Sequence, residues 1–211
     1  MRKYILTILS LTCLLPLWAQ GNADKLLQKT VSKLEKDNGI YMKLDAEIKN
    51  DGSTDHIDIE LKLSSDGSFY VMMDDNQMWF DGKTMWNGKD YGDGIEEIYI
   101  TEPTPQEKAL YDIIGLLDKH QGYKVSGNGT DTFILTASGQ ERSVEGLSKL
   151  TVNVDPKTYI IKSIQVEFDK ELGNMSATAR ITGYKPEQKY AKTTFTCPVK
   201  DFKDADIIDL R

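Results

Sequence analysis

Residues 42–63 read MKLDAEIKNDGSTDHIDIELKL, and their alternation decides the fold class. Met42, Leu44, Ala46 and Ile48 fall on one side of an extended chain, while Lys43, Asp45 and Glu47 fall on the other. Beyond the turn Asn50-Asp51-Gly52, Ile57, Ile59, Leu61 and Leu63 oppose Asp58, Glu60 and Lys62. Successive side chains on a strand point to opposite faces, so two such runs joined by an Asp-Gly turn predict an antiparallel hairpin with one wet face. Leu150, Val152 and Val154 follow the same rule, as do Met175, Ala177, Ala179 and Ile181. Ile160, Ile164, Val166 and Phe168 keep it with Lys162 as the exception. Short turns such as Ser65-Asp66-Gly67 and Asp155-Pro156 lie between the runs. The pattern is an antiparallel meander whose apolar side needs a cover.

Two helical patterns supply one. In residues 23–37, ADKLLQKTVSKLEKD, Leu27, Val31 and Leu34 recur at helical spacing with Leu26 beside them. Residues 104–122, TPQEKALYDIIGLLDKHQG, open with Thr104 as N-cap, Pro105 at the first helical position and Glu107 closing a capping box. Leu110, Ile113, Ile114 and Leu117 then form a stripe, widened by Leu116, that ends near Gly122. The predicted fold is α+β: a strongly curved antiparallel sheet, or half-barrel, with helices across its mouth.

The chain has 211 residues and a formal charge of −7. Arg2 and Lys3 precede an apolar run from Tyr4 to Trp18, which reads as a secretory signal peptide over residues 1–19, cut after Ala19. Residues 20–211 are then expected to form one domain, exported to the periplasm. Without Arg2 and Lys3 the charge becomes −9, which argues against nucleic acid and against permanent residence on an anionic membrane. Only Cys197 remains after processing, so no disulfide framework is expected and the core must stabilise itself.

No catalytic constellation can be assembled. His56 and His120 have no metal-like spacing to a second His or Cys. There is no nucleophile elbow, phosphate-binding glycine loop or paired-His motif. Asp90 to Glu96 is too short for a calcium loop. A non-enzymatic protein without metal or cofactor is expected.

Residues 78–89, MWFDGKTMWNGK, gather Trp79, Phe80 and Trp86 around an Asp-Gly turn. These aromatics either plug a core or face an apolar ligand. The stretch WFDGKTMW resembles the periplasmic lipoprotein carrier family, LolA-like, whose members place a tryptophan after an aspartate-glycine-lysine turn in the same way. Ser65-Asp66-Gly67-Ser68-Phe69-Tyr70 resembles the family's preceding hairpin. Ile98 to Glu107 resembles the strand entering its covering helix, above all in the Bacteroidetes-type branch. Leu150 to Asp155 with Ile160 to Ile164, and Ile181 to Tyr184 with Phe195 to Pro198 and Asp206 to Arg211, are similar to its later strands. The likeness runs from about residue 22 to the C-terminus. Two features depart from the family. Ser65 stands near the site of an arginine that links barrel to lid, and Tyr111-Asp112-Ile113-Ile114 replaces an asparagine-proline opening the second helical segment.

What the resemblance implies is an open, incomplete β-barrel covered by two or three helices. Its apolar interior would shield the acyl chains of lipoproteins, or another lipid, during transfer from an inner-membrane donor to an outer-membrane acceptor protein. A monomer without stable membrane insertion is expected. The residues expected to line the cavity are Phe69, Val71, Met73, Met78, Trp79, Phe80, Trp86 and Phe168, with Leu110, Ile113, Ile114 and Leu117 on the lid. Taken singly, each Met or Trp reads equally as core packing. The physical need for a host is clear: at ~0.8 kcal/mol per methylene, a sixteen-carbon chain in water costs about 12 kcal/mol relative to an apolar site. The alternative is an exported, non-catalytic interaction or sensor module with the same fold and a filled or peptide- or lipoprotein-binding interior.

Overall fold

The first helical pattern forms α1 (Leu15–Lys36) in the computed structural model, which describes residues 15–92, 94–105, 107–108, 112–139 and 141–211. The helix begins at Leu15 rather than Ala23 and so runs through the expected cleavage position. The rest of the expected leader, residues 1–14, lies outside the described residues. Leu26, Leu27, Val31 and Leu34 are buried as their spacing predicts, joined by Ala23 and Thr30. The Thr30 hydroxyl donates to the Leu26 carbonyl at 2.9 Å, which satisfies it inside the core. Asn38 and Gly39, at φ 35° and 94°, stop the helix. Glycine is required at 39, because a Cβ there would stand 2.1 Å from the Gln188 carbonyl oxygen.

The alternating runs become one twelve-stranded sheet. Its strands are β1 (Ile40–Asn50), β2 (Ser53–Leu63), β3 (Phe69–Met73), β4 (Asn76–Phe80), β5 (Met85–Asp90), β6 (Ile95–Thr101), β7 (Tyr123–Gly127), β8 (Thr132–Ala137), β9 (Leu147–Val154), β10 (Ile161–Phe168), β11 (Ser176–Lys185) and β12 (Asp206–Asp209). The spatial order is β12-β6-β5-β4-β3-β2-β1-β11-β10-β9-β8-β7. Neighbours are antiparallel except β12, which runs parallel to β6. The terminal strands β12 and β7 do not meet, so the barrel stays open. Irregularities at Lys43/Leu44, Lys89/Asp90 and Ile161/Ser163 interrupt the ladders, as bulges that bend a sheet do. The last of these explains the Lys162 exception: the extra residue resets the phase, and Ile161, not Ile160, is buried.

The second helical pattern is broken in two. Its capping box forms as predicted, with the Thr104 N–H donating to Glu107 Oε2 at 2.7 Å and the Glu107 N–H to Thr104 Oγ1 at 3.3 Å. At Asp112 the backbone leaves helical geometry (φ −91°, ψ 70°), and its carboxylate accepts the Gly115 N–H at 2.8 Å as N-cap of α2 (Ile113–Lys119). The break falls where the family's asparagine-proline is missing. Gly115 is explained by the same cap, since a Cβ there would lie 2.1 Å from Asp112 Oδ2. The helix ends at His120 in left-handed geometry, two residues before the expected Gly122.

Two cores result, one on each face of the sheet. On the inner face, α1 packs against α2, β7 and β8 over Leu117, Phe133, Leu135, Leu150 and Val152. On the outer face, the chain after β11 turns back across the sheet to reach β12. Glu187 N–H donates to the Asp37 carbonyl at 2.7 Å and Gln188 N–H to the Gly39 carbonyl at 2.9 Å. Cys197, Val199, Phe202 and Ala205 then cover Trp79, Ile95, Ile98 and Ile100. Among the described residues no helix is long and apolar enough to cross a membrane.

Candidate functional site

Register places the inner-face side chains in rows. Ile40, Leu63, Phe69, Phe80 and Met85 form one row across β1 to β5, and Met42, Leu61, Val71 and Met78 form the next. The helices cover this face unevenly. Over its centre, Leu34 of α1 with Ile113 and Ile114 of α2 roof a groove of about 280 Å³. The floor comes from five adjacent strands: Ile161 and Ile164, Ile181, Met42 and Leu44, Leu61 and Leu63, then Phe69 and Val71. All twelve lining residues are apolar.

The groove adjoins a second cavity of about 480 Å³ and shares Leu34, Leu63, Phe69, Ile113 and Ile114 with it. This outer part is a mouth. Its rim carries Glu35, the β2–β3 turn from Ser64 to Gly67, Lys108 and Asp112. The Ser68 backbone N–H, 3.0 Å from Asp66 Oδ1, holds the Asp66 carboxyl below its usual range and fixes the turn. Lys108 stands 5.8 Å from the centre of the Phe80 ring. Volumes of this order fall in the range of small-molecule sites, about 300–1,000 Å³, which are mostly apolar with a few polar groups at fixed places.

Polar ties anchor the C-terminal half of α1. Asp37, only 4% exposed, accepts from Lys33 and from the Tyr184 hydroxyl of β11. Burial, reinforced by the Asp37 carboxylate, pushes the Tyr184 phenol far above its ordinary pKa, so it remains a donor. Lys29 donates to the Tyr159 hydroxyl at 2.8 Å. These contacts link roof to sheet; Ser65, at the position of the family arginine, is exposed at the mouth.

The structure divides the twelve expected site residues. Phe69, Val71, Ile113 and Ile114 line the groove, and Phe80 lines the mouth. Met78 lies beside Val71 on the inner face, and Met73 shares that face one row further along, opposite Ile59. Leu117 is fully buried between helices and sheet and does not reach the groove. Phe168 ends β10 at an irregularity in its pairing with β9 and is not among the lining residues. Leu110 lies outside the described residues.

Trp79 and Trp86 are corrected outright. They are cross-strand partners, and the pairs flanking them, Phe80 with Met85 and Met78 with Asn87, point to the inner face. The tryptophans therefore point outward. Trp79 is 5% exposed, with Tyr70 at 5.5 Å and Phe202 at 6.2 Å between ring centres. They plug the outer core beneath the C-terminal segment. A strand buried on both faces reads as a continuous apolar run, and Met78-Trp79-Phe80 is one.

Met42, Leu44, Leu61 and Leu63 form much of the floor and were legible as one face of the first hairpin, yet they do not figure in the expected site. Leu34 was legible in the α1 stripe, whereas Ile161 was hidden by the bulge. Cys197 is buried, and burial pushes its thiol up to about 12, which makes it a poor nucleophile. Among the described residues no group of three or more His, Cys, Asp or Glu could hold a metal ion.

No protein-family model matches the chain, and no curated protein matches it. Solved structures do share its shape. An uncharacterized conserved protein from Thermus thermophilus superposes with a TM-score of 0.52 at 11% identity, over 86% of this chain and 98% of that one. The LolA superfamily protein NE2245 from Nitrosomonas europaea gives a TM-score of 0.45 at 11% identity, over 84% and 98%. LprF from Mycobacterium bovis gives 0.43 at 10% identity, over 83% and 96%. At such identities the likeness concerns the fold alone: an open, incomplete barrel with helices on its inner face.

Proposed function

We propose that this chain, whose fold is LolA-like, is a non-catalytic periplasmic carrier that shields acyl chains of lipoproteins on their way to the outer membrane. One observation carries the reading: the groove beneath Leu34, Ile113 and Ile114 is lined by twelve apolar side chains and no polar one. Side chains of the molecule's own core leave that volume unfilled, and an acyl chain is the simplest ligand that asks nothing of a wall except apolarity. The roof is made by Leu34 near the end of α1 and by Ile113 and Ile114 in the first turn of α2, which Asp112 caps. In this reading the protein works as a monomer, with membrane proteins as donor and acceptor.

The test is organic extraction of the purified protein followed by lipid mass spectrometry, with Ile113→Asp alongside. A stoichiometric acylated species in the native protein that is lost in the variant supports the carrier. A native protein that yields no lipid and takes up no fluorescent fatty acid refutes it.

A further inference from the structure

Because the barrel is open, the sheet has two free edges, β7 and β12, and they differ in what they show to solvent. On β7 the large apolar side chains Tyr123 and Val125 are buried, and Lys124 and Ser126 face out. On β12 the sequence is Asp206-Ile207-Ile208-Asp209, with Ile207 exposed and Ile208 half-buried. The exposed large apolar side chains among the described residues are Met72, Tyr91, Ile207 and Leu210. The last three gather at this one edge. Leu210 follows β12, and the Tyr91 hydroxyl donates at 3.1 Å to Oε2 of Glu97, the register partner of Asp206 on β6.

The backbone of this edge is unpaired in a regular way. The Leu210 N–H donates to the Ile100 carbonyl at 2.9 Å, and N–H groups alternate in direction along a strand. The Ile208 N–H therefore faces β6 as that of Leu210 does. The N–H groups of Ile207 and Asp209 point away from the sheet, with no acceptor among the described residues. Such a row is a template for one more strand. In register, Ile207 lies beside Ile98 on the outer face and Ile208 beside Tyr99 on the inner face. An added strand thus finds an apolar neighbour on each side of the sheet.

Charge selects the occupant. Asp209 is bound by Arg211 at 2.6 Å, whereas Asp204, Asp206, Glu96 and Glu97 form no salt bridge among the described residues. A second copy of the chain is disfavoured. Antiparallel pairing of β12 with itself, Ile207 against Ile208, sets Asp206 opposite Asp209, and like charges directly opposite are destabilising. The same acidic ends that repel a copy attract a basic segment. We propose that the free edge of β12 docks an extended segment of another protein, in which a short apolar pair is flanked by lysine or arginine and adds as a further strand. This assignment stands apart from the groove and its ligand.

The test is residue-by-residue amide hydrogen exchange, followed by NMR on the full chain. The probes are the blocked hexapeptide Thr-Lys-Ile-Val-Lys-Thr and its counterpart with aspartate in place of lysine. At saturation the basic peptide is expected to slow exchange at Ile207 and Asp209 about tenfold, and the acidic one to leave both unchanged. Added salt should weaken the basic peptide, because the flanking charges are exposed. Asp206→Lys alters an exposed side chain and is expected to weaken the basic peptide several-fold, with native protection at Ile98 and Ile100 showing that the sheet is intact. No slowing at Ile207 and Asp209, equal slowing by both peptides, or slowing at Tyr123 to Gly127 instead overturns the proposal. Protection of the same two amides in the protein alone, arising with dimerisation in sedimentation, assigns the edge to a second copy and overturns it as well.

Discussion

Replacing Trp79 by alanine should separate stability from ligand binding. The indole is 5% exposed and wedged between Tyr70, Phe202 and the backbone of Gly88, where a Cβ would already come within 3.3 Å of its ring. Truncating a buried Trp removes its transfer free energy and leaves a cavity, together about 3–5 kcal/mol. With a urea m-value of about 2 kcal/mol per molar for a domain of this size, the midpoint should fall by about 2 M. Trp79→Phe, which keeps part of the packing, should lie between. Val71→Ser on the inner face is the counterpart. Its side chain is half-exposed in the groove, so stability should drop by only about 1 kcal/mol while ligand contact is lost. The assays are urea unfolding followed by circular dichroism, and fluorescent fatty-acid uptake per folded molecule at low temperature. Trp79→Ala is expected to lose stability and retain uptake, and Val71→Ser the reverse. Loss of uptake by Trp79→Ala with an unchanged midpoint would refute the outward placement of the tryptophans.

Three further outcomes are expected. Asp112→Ala removes the N-cap of α2 at a cost of about 1 kcal/mol, read as faster amide exchange from Gly115 to Lys119 than in the native chain. Tyr184→Phe leaves the buried Asp37 carboxylate short of one donor and should lower stability by about 1–3 kcal/mol, measured from the urea midpoint. Backbone N–H groups of Thr158 and Lys157, with Lys162 nearby, depress the Asp155 carboxyl from 3.8 to about 2. A depressed acid stabilises the fold above its unfolded pKa, so this contribution should be lost as pH falls from 3.8 to about 2, and Asp155→Ala should flatten the loss in midpoints taken across that window.

Local chemistry was the most legible layer. The capping box at Thr104 and Glu107, the buried stripe of α1 and the alternation of β1 and β2 depend on residues a few positions apart, and the structure contains them all. Asp112 escaped because an Asp inside a helical pattern has ordinary propensity; only its pairing with a glycine three residues on marks it as a second N-cap. Ile161 escaped because a bulge shifts the phase of alternation by one residue, and period-two reading assumes there is none.

By itself the sequence determined that the chain makes a meander of strands with one apolar face and two helices to cover it. Those properties follow from side-chain period and capping, which are local. Tertiary structure alone decided which apolar residues face the groove and which face the C-terminal segment. Met78-Trp79-Phe80 in β4 and Met85-Trp86 in β5 put apolar residues on both faces, so alternation cannot rank them, and the ranking comes from long-range packing. Leu34, Ile113 and Ile114 roof one face, while Phe202 and Cys197 close the other. The groove exists for the same reason: its floor joins strands from both halves of the chain, and their own side chains do not fill the space below the roof.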